Sequence, residues 1–399
     1  MRVPILARNQ TEKMRNKDKK PSFPLSNRKD FFMPTTVFTS ESVCAGHPDK
    51  LCDQISDAIL DAAIAQDSFA HVAVETLAAK DRLVLAGEIT TTAKLNIEAI
   101  AREEIKRIGY TEPKWGFSHH SPISNYLHQQ SPEIAVGVKL DGAGDQGMMF
   151  GFACNETSEL MPVPIMLSHA LTKRLDEVKT NELMYLRPDG KAQVSVEYTN
   201  GKPTSVKQAV IAVPHSKRVD LNQVKRDVMN YVVKPVLDKY KFKISPKDLI
   251  VNGTGVWHMP GPASDAGLTG RKIAVDSYGS YASLGGGAFS GKDPTKVDRS
   301  GAYGARYVAK NIVASGLAKK CEVRVAYYIG AHKPTMCEVE TFGTETKSHL
   351  AIHKYINNLL DLSVRGIIET LDLRRPLYKR TAAYGHFGRN EFPWEQIAS

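Results

Sequence analysis

The sequence predicts an α+β fold, in which antiparallel or mixed sheets carry helices on one face. Residues 192–198 alternate between apolar and polar side chains, which is the pattern of a half-buried strand. Asn200 and Gly201 follow and favour a two-residue hairpin turn into a second apolar segment at 206–213. Helical and strand-like segments mix elsewhere without a regular βαβα alternation, so we expect hairpins rather than a parallel sheet.

The N-terminal part of the chain contains two predicted helices and two predicted strands, and order is expected to begin near Thr36. Gly46, His47 and Pro48 lead into a segment with apolar residues at helical spacing, and proline suits the first turn of a helix. Gly109 ends the second helical pattern. The predicted elements are a helix at 49–66, strands at 72–77 and 82–90, and a helix at 95–108.

The remaining pattern contains a long irregular stretch and further helices and strands. Residues 115–151 are rich in Gly, Ser, Pro and His and are too many for an ordinary connection, so we predict a functional loop. The later elements are predicted as helices at 221–236 and 299–314, a strand at 322–329, and helices at 347–360 and 364–371.

An acidic row runs along the first predicted helix: Asp49, Asp53, Asp57 and Asp61 are spaced by four residues. Like charges at this spacing repel one another on a helix surface. We therefore interpret Asp53, Asp57 and Asp61 as a solvated face. Asp49 differs because it lies at the start of the helix, beside His47.

The basic character of the chain is concentrated at its N-terminus. The net charge is +10, and residues 1–30 alone carry nine Lys or Arg against three Asp or Glu. This region lacks a long apolar segment, so it does not resemble a secretory signal. We interpret residues 1–35 as a disordered basic extension and expect no nucleic-acid partner.

Composition indicates a reduced, cytoplasmic protein. The hydrophobic fraction is 42%, and no apolar run approaches the ~18 residues that span a membrane. The five cysteines are scattered and contain no C-x-x-C motif, so neither a zinc site nor a disulfide framework is indicated.

The segment LGGGAFSGKDPTKVDRSGAYGAR at 284–306 combines bare backbone with charged side chains. Three consecutive glycines allow the main chain to approach a ligand, while lysines and aspartates supply cations and metal-binding oxygens. The spacing from Gly286 to Gly291 and Lys292 is that of a P-loop. However, Asp293 stands where a P-loop needs Ser or Thr, so the segment predicts phosphate binding without being a P-loop.

Five further polar clusters contain similar chemistry. They are GHPDK at 46–50, GEIT at 87–90, GAGDQG at 142–147, RPDGK at 187–191 and PGPASDAGLTGRK at 260–272. Any one of them alone is typical of a turn. Together with the glycine-rich segment, they favour a site for ATP and a second, zwitterionic substrate.

These motifs carry a family resemblance over residues 37–394. With FTSESV at 38–43 and TAAYGHFGR at 381–389, they resemble the S-adenosylmethionine synthetases, which are also called methionine adenosyltransferases. The resemblance implies three similar, interleaved α/β domains related by pseudo-threefold symmetry. Their expected bounds are 36–135, 141–258 and 260–394.

The resemblance also implies roles for individual residues. Catalysis would use His47, Lys191, Arg271 and Lys292, with His47 at the 5′ oxygen of ATP. The ATP site would further include Asp189, Gly190, Val256, Trp257, Asp265, Lys272 and Ala288. Methionine would contact Glu88, Gln130, Asp145, Asp265 and Lys296. Asp49 and Asp298 would hold magnesium, and Glu75 would help hold potassium.

The implied reaction joins ATP and L-methionine and releases phosphate and pyrophosphate, a step of one-carbon metabolism. Two Mg²⁺ ions per site and K⁺ are the implied cofactors. The implied assembly is a dimer or tetramer with active sites between subunits. The alternative is another ATP-dependent small-molecule transferase or an ATPase on the same scaffold.

Overall fold

The computed structural model describes residues 35–129 and 142–398, whose strands form three sheets. The strands are β1 (Thr35–Val43), β2 (His71–Ala79), β3 (Arg82–Thr90), β4 (Ile123–His128), β5 (Gly147–Cys154), β6 (Lys191–Thr199), β7 (Lys202–Ala212), β8 (Leu249–Val251), β9 (Gly267–Leu268), β10 (Lys320–Tyr327) and β11 (Met336–Glu340). The first sheet has the order β4-β3-β2-β9, the second β1-β6-β7-β8 and the third β11-β10-β5. Neighbouring strands are antiparallel except β3 with β4 and β7 with β8, so the prediction of mixed and antiparallel sheets is confirmed.

Each sheet packs against one long helix. The helices are α1 (Pro48–Ile64), α2 (Ile97–Ile108), α3 (Val163–Asn181), α4 (Leu221–Asp227), α5 (Lys234–Lys239), α6 (Ile273–Asp276), α7 (Val297–Ala314), α8 (His349–Leu359) and α9 (Val364–Thr370). α1 packs on β2, α3 on β1 and β6, and α7 on β5 and β10. In the described part of the chain, no helix is both long enough and apolar enough to cross a membrane.

The three sheets are connected in a cyclic order. β1 belongs to the second sheet, but the next long helix, α1, packs on the first sheet. β5 belongs to the third sheet and is followed by α3 on the second, while β9 belongs to the first and is followed by α7 on the third. Each long helix then leads into the hairpin of the sheet on which it packs. Three similar units are therefore interleaved along the chain, as expected.

Local sequence explains the elements that were predicted well. Pro48 occupies the first turn of α1, and His47 caps the helix. Asn200 and Gly201 both have positive φ, 53° and 72°, as the hairpin turn between β6 and β7 requires. Both predictions are confirmed.

Two predicted elements differ from the structure, and one long helix was not predicted. The stretch at 115–151 contains β4 and the start of β5, so its description as one long loop is wrong. The helix α3 was not predicted, because its buried side chains surround most of the helix and weaken the amphipathic pattern. The helix predicted at 221–236 is divided into α4 and α5 by a π-helical segment, Val228–Val233.

The acidic row of α1 is buried, so its interpretation as a solvated face is wrong. Asp53 and Asp57 are fully buried, and Asp61 is partly buried. Their carboxylates accept hydrogen bonds from backbone N–H groups, and Lys50 and Arg299 compensate the charges of Asp53 and Asp57. Burial of these charges is possible because each carboxylate has partners.

Candidate active site

His47 lies at the N-terminal cap of α1 and is almost completely buried. Its Nδ1 accepts a hydrogen bond of 3.2 Å from the backbone N–H of Asp49. Because an amide N–H can only donate, Nδ1 carries no proton in this arrangement. The neutral ring is therefore the tautomer with its proton on Nε2.

Two lysines and one carboxylate surround His47. Lys272 Nζ lies 2.5 Å from Asp49 Oδ2, while Asp49 Oδ1 accepts a hydrogen bond from the backbone N–H of Leu268. Burial, followed by the charges of Lys272 and Lys191, lowers the pKa of His47 from 6.5 to about 3. We call His47, Asp49, Lys191 and Lys272 the His47 cluster. Its imidazole is neutral at physiological pH and can donate a hydrogen bond from Nε2 to an oxygen atom.

A close backbone contact brings Lys191 into this cluster. A Cβ atom on Gly46 would lie 2.5 Å from the backbone nitrogen of Asp189, so only glycine allows this approach. The Asp189 carboxylate accepts hydrogen bonds from the N–H groups of Gly190 and Gly261, at 2.7 and 2.9 Å. Burial raises the pKa of Asp189 to about 6. Asp189 and Gly190 thus shape the turn that precedes Lys191.

A second group of charged residues lies on the face of the first sheet opposite to α1. Lys292 pairs with Ala73 of β2, and Ala73 pairs with Glu88 of β3. Because cross-strand partners point to the same face, Lys292 and Glu88 share a face, together with Glu75 two residues along β2. Lys292 Nζ lies 2.8 Å from Asp298 Oδ2. We call Glu75, Glu88, Lys292 and Asp298 the Lys292 cluster.

The charges of the Lys292 cluster influence one another. Partial desolvation raises the pKa of Glu75, the charge of Lys292 opposes this effect, and Asp53 and Glu88 raise the pKa further. Glu88 itself lies 3.7 Å from the Nε2 of His128. The cluster thus combines one lysine with three carboxylates on a partly exposed surface.

Two further predicted methionine contacts border the Lys292 cluster. Lys296 forms an ion pair of 2.5 Å with the fully buried Asp293. Asp145 is exposed, and its neighbour Gly144 contacts the carbonyl oxygen of Thr295 through its N–H group. Gln130 lies outside the described residues.

The other predicted ATP contacts are all at least partly exposed. Asp265 and Arg271 are exposed, and Arg271 precedes Lys272 of the His47 cluster. Ala288 packs so closely beside Gly270 that a Cβ atom there would lie 2.4 Å from that of Ala288. Val256 is exposed, and the indole N–H of Trp257 donates to the carbonyl oxygen of Met259.

The two clusters are separate groups within one chain. Among the described residues, no hydrogen bond or ion pair joins a side chain of the His47 cluster to one of the Lys292 cluster. They are connected through α1, whose acidic row contacts backbone at 268–270 with Asp49 and Asp53 and at 291 with Asp57.

Two structural features beneath the His47 cluster were not predicted. Lys50 is fully buried between Asp53 and Asp276, and these carboxylates raise its pKa against the effect of burial. Gly46 permits the contact with Asp189. The only signal in the sequence was the four-residue spacing of the acidic row beside a lysine, which is compatible with either a buried or a solvated face.

The available carboxylates suit a metal ion that arrives with a phosphate ligand. No group of three His, Cys, Asp or Glu residues in the described ranges could hold a metal ion. Asp49 and Asp298 each stand alone beside a lysine. Mg²⁺ is commonly bound by one or two carboxylates together with substrate phosphates and water, so isolated carboxylates next to lysines that could bind phosphate fit this ion.

Comparison with known proteins gives consistent results. Three family models match the chain: the N-terminal domain of S-adenosylmethionine synthetase at residues 35–132, its central domain at 140–257 and its C-terminal domain at 259–396. The chain is also 52% identical over 369 residues to a protein of Sulfurovum sp. (strain NBC37-1) named S-adenosylmethionine synthase. That similarity covers 90% of this chain and 96% of the relative.

Proposed function

The chain belongs to the S-adenosylmethionine synthetase family and makes S-adenosylmethionine from ATP and L-methionine, and we propose that the His47 and Lys292 clusters together form its active site. In this reaction the methionine sulfur attacks C5′ of ATP. The S–C5′ bond forms while the C5′–O5′ bond breaks, and tripolyphosphate leaves. The bound tripolyphosphate is then hydrolysed to phosphate and pyrophosphate.

The observation that carries the proposal is the hydrogen bond from the Asp49 N–H to His47 Nδ1. It leaves Nε2 as a donor, which is the group needed at O5′ when negative charge develops there. A thioether sulfur carries no proton, so the attack needs no general base. The demands are alignment of sulfur, C5′ and O5′ and stabilisation of the leaving tripolyphosphate.

Cationic side chains would supply that stabilisation. Lys191, Lys272 and Arg271 would bind the polyphosphate from the His47 side, and Lys292 would bind it from the other side. Asp189, Gly190, Val256, Trp257, Asp265 and Ala288 would complete the ATP site. Preorganised cations cost little reorganisation as charge develops, and removal of one such donor typically slows a reaction by about 10²- to 10³-fold.

Metal dependence is general in the family, and we propose Mg²⁺ at Asp49 and Asp298 and K⁺ at Glu75. Bound Mg²⁺ would neutralise phosphate charge and polarise the phosphoryl oxygens. Asp49 and Asp298 would then exchange their lysine partners for the metal, which frees Lys272 and Lys292 to contact phosphate oxygens.

Methionine would be held by groups of both signs, as a zwitterion requires. Asp145 and Asp265 would face its ammonium group, while Lys296, Glu88 and Gln130 would contact the rest of the amino acid. Lys296 would need to share its charge between Asp293 and the substrate.

A second copy of the chain would complete the site. The uncovered face of the first sheet exposes Leu77, Tyr126 and Leu268 beside Glu75 and Glu88. Apolar residues on an exposed sheet face favour self-association. A dimer or a dimer of dimers would bring the Lys292 cluster of one copy to the His47 cluster of another.

We also propose a cytoplasmic location and the three-domain division at 36–135, 141–258 and 260–394.

The direct test is incubation of the protein with ATP, methionine, Mg²⁺ and K⁺, followed by mass spectrometry. The expected product is the sulfonium compound, formed together with phosphate and pyrophosphate. ATP turnover that does not depend on methionine would favour the alternative, an ATPase on the same scaffold.

A further inference from the structure

We infer that Asp57 and Arg299 are positioning residues for this reaction: they hold the backbone that carries Lys292 and thereby set the position of its ammonium group. The inference rests on the proposed role of Lys292 in binding the polyphosphate. Both residues are fully buried, so neither can contact the substrate directly.

The two residues form hydrogen bonds with the backbone on both sides of the Lys292 side chain. Asp57 Oδ1 accepts hydrogen bonds from the N–H of Gly291, at 2.8 Å, and from Arg299 Nη1, at 2.7 Å. Arg299 Nη1 also donates to the carbonyl oxygen of Lys292, at 3.1 Å. The peptide groups before Gly291 and after Lys292 are thus fixed to one carboxylate–guanidinium pair.

The guanidinium of Arg299 has no spare donor. Its five N–H groups bind both oxygens of Asp57, the Lys292 carbonyl, the hydroxyl of Tyr303 at 2.9 Å and the hydroxyl of Thr381 at 3.0 Å. The group also lies 4.2 Å above the ring of Tyr378. A lysine has three donors and no planar fork, so it cannot make this set of contacts.

The Asp57–Arg299 pair also fixes Asp298, the ion-pair partner of Lys292. Arg299 directly follows Asp298 in the first turn of α7, and Asp298 forms the ion pair with Lys292. A shift of Arg299 would therefore move both members of the Lys292–Asp298 pair. Side-chain positioning of this kind affects turnover, because a misplacement of about 1 Å can cost about 100-fold in rate.

Bonds to β2 provide a second anchor for the same segment. The N–H of Val74 donates to the carbonyl oxygen of Gly291, at 3.0 Å, and the N–H of Asp293 donates to that of Val72, at 3.1 Å. Neither bond involves Asp57, so we expect both to remain in an Asp57 variant. An Asp57 variant should therefore keep the segment paired with β2 and change only the position of Lys292.

Asp61 offers a matched control on the same helix. It occupies the next position of the acidic row, and its carboxylate accepts three hydrogen bonds from the N–H groups of Leu377, Tyr378 and Lys379. None of these residues is proposed to contact the substrate, and Tyr378 binds Asp61 through its backbone N–H, whereas it packs on Arg299 through its ring. In Asp61→Asn an amide NH2 group would face the N–H of Lys379, so the variant should lose that hydrogen bond and some stability without moving Lys292.

The experiment compares Asp57→Asn, Arg299→Lys and Asp61→Asn in the full-length enzyme. For each variant, the melting temperature, kcat, the KM values for ATP and methionine, and the rate of hydrolysis of added tripolyphosphate are measured. We expect Asp57→Asn and Arg299→Lys to lower kcat and tripolyphosphate hydrolysis by about 10- to 100-fold, with a smaller change in the KM for methionine. Asp61→Asn should lower the melting temperature and keep kcat within about twofold.

Two results would overturn the inference. One is an Asp57→Asn enzyme with nearly normal kcat, and the other is an equal loss of kcat in Asp57→Asn and Asp61→Asn. If Asp57→Asn cannot be purified, Arg299→Lys gives the same decision. Lys292→Met distinguishes a failure of the positioning role from a failure of the proposed active site. A fully active Lys292→Met enzyme contradicts the proposed role of Lys292 in the active site. If Lys292→Met is inactive, the Asp57 and Arg299 variants decide the positioning role alone.

Discussion

The His47 cluster and the Lys292 cluster both gather charged side chains, but they control charge in different ways. His47 is almost completely buried, and burial next to two lysines keeps its ring neutral. Lys292 and Asp298 keep some exposure and neutralise each other as an ion pair. The first cluster therefore depends on desolvation, and the second depends on where the backbone places its charges.

Replacement of His47 should give the largest effect. In His47→Asn the proposed donor to O5′ is displaced and the cluster loses its imidazole, so we expect sulfonium formation to slow by about 10³-fold, or about 4 kcal/mol, while ATP still binds. Rapid-quench kinetics and calorimetric ATP titration measure the two quantities.

His169→Asn is the matched control for this change. His169 is also buried, and burial lowers its pKa to about 3, but it forms its hydrogen bond with Ser42 and belongs to neither cluster. Turnover of folded His169→Asn should be normal. Normal turnover in His47→Asn would remove His47 from the mechanism.

Replacement of Lys292 should give the next largest effect. Lys292→Met keeps a side chain similar to the aliphatic part of lysine and removes the ammonium group, so we expect kcat to fall by about 100-fold, or about 2.7 kcal/mol. Lys207→Met serves as the control, because Lys207 forms only an exposed ion pair with Glu197. An equal fall in kcat for both variants in steady-state assays would contradict a specific role of Lys292 in the site.

The pH dependence of stability should distinguish the two clusters. The pKa of His47 is about 3 in the folded protein and near 6.5 when unfolded, so the unfolded chain binds more protons between these values. Stability is therefore lost as the pH falls below 6.5, by about 1.4 kcal/mol per pH unit from this group. Urea unfolding of the wild type and His47→Asn between pH 4.5 and 7 isolates the contribution of His47. A difference between the two proteins that is independent of pH would show that the ring titrates normally.

Substitution of Trp257, which is partly exposed, should give the smallest effect. Trp257→Phe keeps an aromatic face and loses the hydrogen bond to Met259, so we expect the KM for ATP to change by less than about threefold. The KM is measured under the same conditions as for the Lys292 variant. A change in the KM above tenfold would show that Trp257 contributes strongly to ATP binding.

Local patterns predicted the parts of the molecule whose structure depends on near neighbours. The start of α1 follows from Pro48 and the hairpin from Asn200 and Gly201, because capping and turn geometry act over a few residues. The cyclic interleaving of the three sheets was implied by the family resemblance rather than by any periodicity.

The environment of the acidic row could not be read from the sequence in the same way. Asp57 is buried because Arg299 reaches it across 242 positions of the chain, and no local pattern encodes that contact. Of the predicted site residues, His47, Lys191 and Lys272 lie together, whereas Lys292 and Asp298 form a separate group. The sequence motifs indicated which chemical groups are present, but not the distances between them.

We propose that a complete site combines the His47 cluster of one copy with the Lys292 cluster of another. The most direct test mixes the two inactive variants His47→Asn and Lys292→Met after reversible dissociation. In a mixed dimer one site carries both changes and the other carries neither, so random pairing should restore about a quarter of the wild-type activity. If the two clusters of one chain formed the site, every mixed site would carry a change, and the absence of any recovery would contradict the account.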